Sequence, residues 1–353
     1  MTQNTRIRNA AVANDRPLAG QRILYVGVGY FSYDRIIASG LRDLGAEVVA
    51  VAERPPLLLR SHLSSPINMI AALRNRVQRR HESRLKAQLA GQTFETVLVV
   101  KGDSLDIGFF DHLRAANPDA RFVLYQWDAV KLVRGFASLR ARFDRCVTFD
   151  RHDAAADKSL IFRPLFYTKS ADTPSPRPKG LIFVGTLHSK RLHLARTIKA
   201  RAEAQGLPVS IYVRVGLFNF IRLFIMGNLR DVHYHPLAYE KYIAWTQEAE
   251  AVMDFPHPQQ SGLTMRTAEA IGLSKKIITT NKDIMNYPFY DPRNILVVDD
   301  ENPIIPEGFL SGAPAHYSSL TMQQFSLRQW LCDVLDIDRE TDVDADSGEA
   351  LTR

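Results

Sequence analysis

Short apolar runs recur along the chain, each closed by a glycine, a proline or an acid and followed by a stretch in which apolar residues return every three or four positions. Runs of this length suit strands buried on both faces, and the three-to-four period suits helices laid on them, so the rhythm predicts an α/β protein with parallel sheets. The first unit is ILYVGV at 23–28, a helix from about Tyr33 to Leu44 that buries Ile36, Ile37, Leu41 and Leu44, and EVVAVAE ending on Glu53. After a basic segment, 57–90, the alternation resumes with TVLVVKGD at 96–103, a helix from about Ile107 to Ala116, ARFVLYQWD at 120–128 and FDRCVTFD at 143–150. A proline-bearing stretch without apolar period, TKSADTPSPRPKG at 168–180, reads as a linker. LIFVGT at 181–186 opens a second series: a helix from about Lys190 to Gln205, VSIYVRV, the helix YEKYIAWTQEA, AVMDF, a helix opening near Leu263, KKIITTN, and NILVVDD at 294–300. Near the end Ser326 caps LRQWLCDVL, which puts Leu327, Trp330, Leu331, Val334 and Leu335 on one face.

The expected organisation is a disordered start at 1–20, a Rossmann-like domain at 21–167, the linker, a second such domain at 181–315, a terminal helix within 316–337 and a disordered acidic tail at 338–353. A length of 353 residues with 46% apolar content supports two separate cores. The formal charge of +7 understates the basicity: Asp333 to Arg353 holds eight acids against Arg339 and Arg353, a charge of −6, which leaves +13 for the rest. Such a field draws anionic partners, and charge alone does not choose among nucleotide-sugars, lipid headgroups and nucleic acid. The chain shows no phosphate loop ending in Gly-Lys-Ser/Thr, no helix-turn-helix and no aromatic RNA-binding motif, so nucleic acid is not an expected partner. The longest apolar run, Val215 to Leu229, is too short to span a membrane and is broken by Arg222, and the first twenty residues lack an apolar signal core. Cys146 and Cys332 have no redox or metal spacing. These features predict a cytoplasmic protein. Segment 57–90 mixes Leu, Ile and Met with many Arg and Lys, which fits either an interfacial helix or a basic surface helix packed by its Leu and Val face.

The stretch richest in candidate chemistry is DFPHPQQSGLTMRTAEAIGLSKKIITTN, 254–281. It reads as strand, glycine-marked turn, helix and strand, with Gly262 letting a ligand approach the backbone and a helix start near Leu263 and Thr264 aimed at an anion such as a diphosphate. Glu269, one to two turns into that helix, is suited to accept hydrogen bonds from ribose hydroxyls. The order Pro, Ser-Gly-Leu, Glu-Ala, Gly, Lys-Lys-Ile-Ile-Thr-Thr-Asn resembles the donor-sugar motif of GT-B glycosyltransferases, of the kind found in bacterial capsule and lipopolysaccharide synthesis. The likeness extends over roughly Val97 to Asp300, and VVKG and YQWD also resemble segments of these enzymes. Many retaining members carry Glu-x(7)-Glu, and the first of these positions is Ser261 here, so the stereochemical outcome stays open.

The resemblance implies two doubly wound Rossmann-like domains facing a cleft, a terminal helix packed back on the first domain, and sugar transfer from a nucleotide-sugar to a glycan or lipid-linked acceptor. Donor binding would fall to Gly185, His188, Lys190, Arg191, Gln260, Ser261, Gly262, Leu263, Thr264, Arg266 and Glu269, the cations stabilising the leaving diphosphate. Acceptor-side candidates are Gly27, Gly29, Asp34, Lys101 and Trp127, with Asp128 first and Asp103 second as general base; either aspartate could instead cap a helix. No metal and no cofactor is expected, because His233-x-His235 and the pair Asp299 and Asp300 lack a third ligand and the Asp-x-Asp strings lie in the tail. The basic and apolar segments further imply peripheral attachment to an anionic membrane, on its inner face. Two other readings remain. One is an NAD(P)-linked oxidoreductase using the G-x-G-x-x-S turn at Gly27 and Gly29 with Glu53; the other is a non-catalytic membrane-surface binder.

Overall fold

The computed structural model describes residues 16–29, 32–59, 71–170, 180–188 and 190–337. Residues 1–15 of the expected disordered start, most of the linker and the acidic tail therefore lie outside the described residues, whereas 16–20 of that start form an ordered turn, because Leu18 is buried in the first core and donates its N–H to Leu44 O at 2.9 Å. The first domain runs β1 (Arg22–Gly27), α1 (Tyr33–Asp43), β2 (Glu47–Ala52), α2 (Ala71–Leu89), β3 (Thr96–Val100), α3 (Ile107–Ala116), β4 (Arg121–Gln126), α4 (Phe136–Arg140), β5 (Arg145–Thr148), α5 (Arg151–Ala156) and β6 (Ile161–Phe162). The second runs β7 (Leu181–Thr186), α6 (Arg191–Ala204), β8 (Val209–Arg214), α7 (Leu217–Ile225), β9 (Val232–His233), α8 (Tyr239–Glu248), β10 (Ala251–Asp254), α9 (Met265–Gly272), β11 (Lys276–Thr279) and β12 (Ile295–Val297). Two helices close the fold, α10 (Ser319–Gln324) and α11 (Leu327–Leu335).

Every strand pair is parallel, in two six-stranded sheets of order β2-β1-β3-β4-β5-β6 and β12-β11-β10-β7-β8-β9. The strand order reverses between β1 and β3 in the first sheet and between β7 and β10 in the second. Ligand crevices of open α/β sheets form at the carboxyl ends of strands at such switch points. Burial on both faces explains the unbroken apolar runs: every residue of β3 is buried, as is every residue of β10 and β11.

The terminal helix α11 belongs to the core of the first domain. Its Trp330, fully buried, packs edge-on against Tyr125 at 4.7 Å and tilted against Phe166 at the same 4.7 Å. A Cβ at Gly40 of α1 would come within 2.9 Å of Leu327 and Leu331, so glycine there lets the two helices touch. The carbonyls left open at the end of α11 are taken by first-domain arginines: Arg121 donates to Leu335 O at 2.7 Å, and Arg145 donates to Val334 O at 3.1 Å and Asp333 O at 3.0 Å. Arg163 adds an ion pair to Asp333 at 2.7 Å. The basic segment 57–90 splits into a single helical turn at Pro56–Leu59 and α2, with residues 60–70 outside the described residues. Leu85 and Leu89 of α2 are buried while Arg74, Arg76, Arg79, Arg80 and Arg84 are exposed, so α2 lies on the domain by its carboxyl half.

Truncating Trp330 to Ala should leave a cavity and cost about 3–5 kcal/mol of stability. Chemical unfolding of the variant checks this; a midpoint equal to that of the parent would mean that α11 is not integral to the first domain.

Candidate active site

Three β–α turns lie at the cleft-facing carboxyl edges of β1, β10 and β7, and each presents backbone N–H groups that need an acceptor. In the turn after β1 the acceptor is internal. Asp34 takes Gly29 N–H at 2.7 Å and Val28 N–H at 3.2 Å, and its Oδ1 also accepts from Tyr25 OH at 2.7 Å. Gly29 reaches this bond with φ of +89°, and a Cβ on Gly27 would collide with the Asp34 carboxylate. Burial raises the Asp34 pKa, against the lowering effect of its three donors. Gly27, Gly29 and Asp34 therefore close on one another instead of facing an acceptor, and the dinucleotide reading loses its phosphate turn. Glu53 is fully buried, accepts from Ser104 OH at 3.0 Å, and has its pKa pushed up to about 7 by burial and then by Asp103. It offers no carboxylate to a ribose.

The turn after β10 is also closed, by a carboxylate from the other domain. Asp150, the N-cap of α5, accepts Ser261 N–H at 2.9 Å, Gly262 N–H at 3.1 Å and Ser261 OH at 2.5 Å. Burial raises its pKa, but the hydrogen bonds from Ser261, Gly262 and His152 outweigh it and leave the group below the usual carboxylate range. The ring of Phe149 lies so close to Gly262 that a Cβ there would sit 2.5 Å from it. The expected opening of Ser261 and Gly262 to a diphosphate is thus corrected: this turn is an interdomain joint. Leu263 is buried in the apolar core, and Thr264 is the N-cap of α9, accepting from Arg266 N–H at 3.1 Å and Thr267 N–H at 3.4 Å. Glu269 is corrected too. It is fully buried and accepts from Thr168 OH at 2.8 Å, Thr168 N–H at 3.1 Å and Tyr239 OH at 3.1 Å, so its carboxylate anchors the chain crossing between the domains.

The turn after β7 carries cations instead of an acid, at the switch point of the second sheet. Arg191, the first residue of α6, folds back beneath the sheet edge and donates to Thr186 O at 3.0 Å and Phe255 O at 2.5 Å. Burial and then Arg266 push its pKa down to about 9, and its Nε is buried without a hydrogen-bond partner. Arg266 pairs with the buried Asp254 at 2.9 Å and donates to Val184 O at 3.3 Å. His188 stands 5.2 Å from His257, ring to ring, and its pKa is pushed down to about 4 by burial, then by Arg191, His257 and Arg266. Gly185 fits because a Cβ there would come within 3.2 Å of Phe183 and 3.4 Å of Arg191. Lys190 is exposed at the same turn. This surrounding favours an anion.

Across from it, at the edge of the first sheet, Asp128 accepts from Lys101 Nζ at 2.5 Å and from Gln260 Nε2 at 3.2 Å. Lys101 holds φ of +75° and also lies 3.8 Å from Asp103, which pairs with Arg54 at the same 3.8 Å. Trp127 packs with its ring 6.1 Å from those of Tyr33 and Tyr125, so it walls the cleft. The structure thus brings Gly185, His188, Lys190, Arg191 and Arg266 together at one turn and, through Gln260, sets Asp128, Lys101 and Asp103 opposite. The sequence reading missed His257 and Asp150. His257 stands in the quoted motif, and Asp150 ends a predicted strand just before a helix, a placement that marks a cap but not a partner in the other domain. Among the described residues no cluster of three His, Cys, Asp or Glu could hold a metal.

No protein-family model and no curated protein matches the sequence. Solved structures do. The α,α-trehalose-phosphate synthase (UDP-forming) from Burkholderia xenovorans is 12% identical with a TM-score of 0.59, over 90% of this chain and 99% of that one. AviGT4, a glycosyltransferase involved in avilamycin A biosynthesis, is 15% identical with a TM-score of 0.53, over 89% and 98%. The UDP-GlcNAc 2-epimerase from Neisseria meningitidis is 11% identical with a TM-score of 0.51, again over 89% and 98%. At these identities the likeness is one of fold: two Rossmann-like domains facing a cleft, the GT-B architecture.

Asp150→Ala should destabilise the protein by about 2–4 kcal/mol at neutral pH, since it orphans the buried N–H of Gly262 and the half-buried donors of Ser261 and His152. Because the folded-state pKa of Asp150 is lowered, its contribution is complete above the unfolded value of about 4 and is lost as pH falls through the folded value. Unfolding of parent and variant from neutral pH into acid checks this; a stability gap that does not narrow in acid would place Asp150 outside the joint.

Proposed function

We propose that the chain is a glycosyltransferase that moves a sugar from a nucleotide donor held by the second domain to a glycan or lipid-linked acceptor held by the first. The setting is bacterial surface polysaccharide synthesis at the inner face of the cytoplasmic membrane. The observation that carries this reading is the β7 turn: of the three turns, it is the one at which the described residues gather Arg191, Arg266, His188 and Lys190 in place of a capping carboxylate, with Asp128 facing it across Gln260. In the transfer the acceptor oxygen bonds to the anomeric carbon, the bond from that carbon to the diphosphate oxygen breaks, and the acceptor proton passes to Asp128. Lys101 donates to Asp128 at 2.5 Å and holds its carboxylate at the sheet edge, in position to take that proton. The charge that accumulates on the leaving diphosphate is balanced by the exposed Lys190, with the buried Arg191 adding its charge from beneath the turn and Arg266 held there by Asp254, so the reaction needs no metal. Glu269 supports the site by fixing Thr168 and Tyr239 rather than by touching the ribose.

Asp128→Asn should lower kcat by about 10²–10⁴-fold with little change in donor affinity, and the parent should keep its rate in EDTA. Progress curves with a nucleotide-sugar panel decide this. Strict dependence on Mg or Mn, a donor epimerised in the absence of any acceptor, or donor binding without turnover would each overturn the reading.

Affinity for a nucleoside diphosphate should rise as pH falls. A bound anion raises the pKa of His188 from its depressed value, so binding takes up a proton once pH approaches the bound-state pKa. Calorimetry with UDP, GDP and ADP from mildly acid to mildly basic pH tests this, and a His188→Ala variant should flatten the profile. A pH-independent affinity in the parent would move the diphosphate away from this turn.

A further inference from the structure

Helix α7 has a second apolar face that none of the described residues covers. Leu223 is its one buried residue, while Phe218, Ile221, Phe224 and Ile225 are 69%, 49%, 65% and 78% exposed, followed by Met226 at 67%. At 3.6 residues per turn Phe224, Ile221, Ile225 and Phe218 fall within an arc of about 120°, on the side away from Leu223. Soluble surfaces seldom carry so many large apolar side chains side by side, and such a patch marks an interaction site.

Its occupant is indicated by the charges around it. Arg222 borders the apolar arc, Arg230 is exposed just beyond the helix, and the segment 217–230 contains no acid. A second copy of this chain meeting it across a two-fold axis would oppose Arg222 to Arg222 between two basic bodies, which like-charge repulsion disfavours. An anionic bilayer suits both features: apolar side chains enter the acyl boundary while arginine heads remain with the phosphates. No described helix is long and apolar enough to cross a membrane, so α7 would lie in the interface plane.

We infer that α7 is a membrane-docking element, inserting Phe218, Ile221, Phe224 and Ile225 into an anionic lipid surface with Arg222 and Arg230 at the headgroups. The docking deepens the membrane-side part of the function proposed above, yet it is read separately: vesicle binding needs no donor, and nucleotide binding needs no lipid. The test is co-sedimentation of the full chain with phosphatidylglycerol-containing vesicles and with pure phosphatidylcholine vesicles, at low and high salt. The parent should partition to the anionic vesicles, less so at high salt. The variant Phe218→Ser/Phe224→Ser/Ile225→Ser should lose about tenfold or more of that partitioning while keeping the parent's Tm and its thermal shift with nucleoside diphosphates. Phe224→Trp should retain binding and show a blue-shifted emission on vesicles. Equal partitioning of parent and triple variant, no sedimentation of the parent with anionic vesicles, or a parent dimer that the triple variant splits in analytical ultracentrifugation would each overturn the inference.

Discussion

A strand that ends at a sheet edge and turns into a helix leaves N–H groups without partners, and each must be given an acceptor. That constraint organises this molecule. Asp34 serves the turn after β1 and Asp150 serves the turn after β10, both as permanent parts of the chain. At the turn after β7 the described residues supply no such acid, and the guanidinium of Arg191 folds beneath it. The same local geometry thus yields two structural joints and one place suited to an external anion, and side-chain chemistry alone makes the difference.

Because Asp150 belongs to the first domain and its donors to the second, the joint also fixes how the two sheets face each other. Glu269 adds a second buried tie, to Thr168 in the crossing segment, and a Cβ on Gly272 would run into Tyr167 at 2.5 Å. Removing one partner from a buried hydrogen-bonded carboxylate is costly since the remaining donors cannot reach water. Gly262 and Gly272 are accordingly packing glycines, kept small by Phe149 and Tyr167. Near this joint Gln260 reaches Asp128, so the contact that sets the domains also sets the distance between the cation turn and the facing carboxylate.

Much of this was legible in advance. β7, α3 and α11 occupy the residues that the apolar pattern predicts, and the parallel sheets follow from unbroken strand runs alternating with helical periods. The short strands β6 and β9 and the helix α5 carry too few residues for a period to show. The cation turn was legible as well, from His188, Lys190 and Arg191 just after a strand. The roles of Ser261, Gly262 and Glu269 were not: a glycine turn before a helix is the same string whether its N–H groups meet a phosphate or an aspartate 111 positions away.

Sequence by itself determined the elements, their parallel order and the residue types gathered at each strand end, because local periodicity and turn chemistry act over a few neighbours. Tertiary structure decided which of those ends were already filled. Asp34 reaches its turn over five residues, but Asp150, Arg266 with Asp254, Thr168 with Glu269, and the arginines that close α11 find their partners only once the sheets have formed. Hydrogen bonding and burial of charge are contacts in space, and no spacing along the chain encodes them.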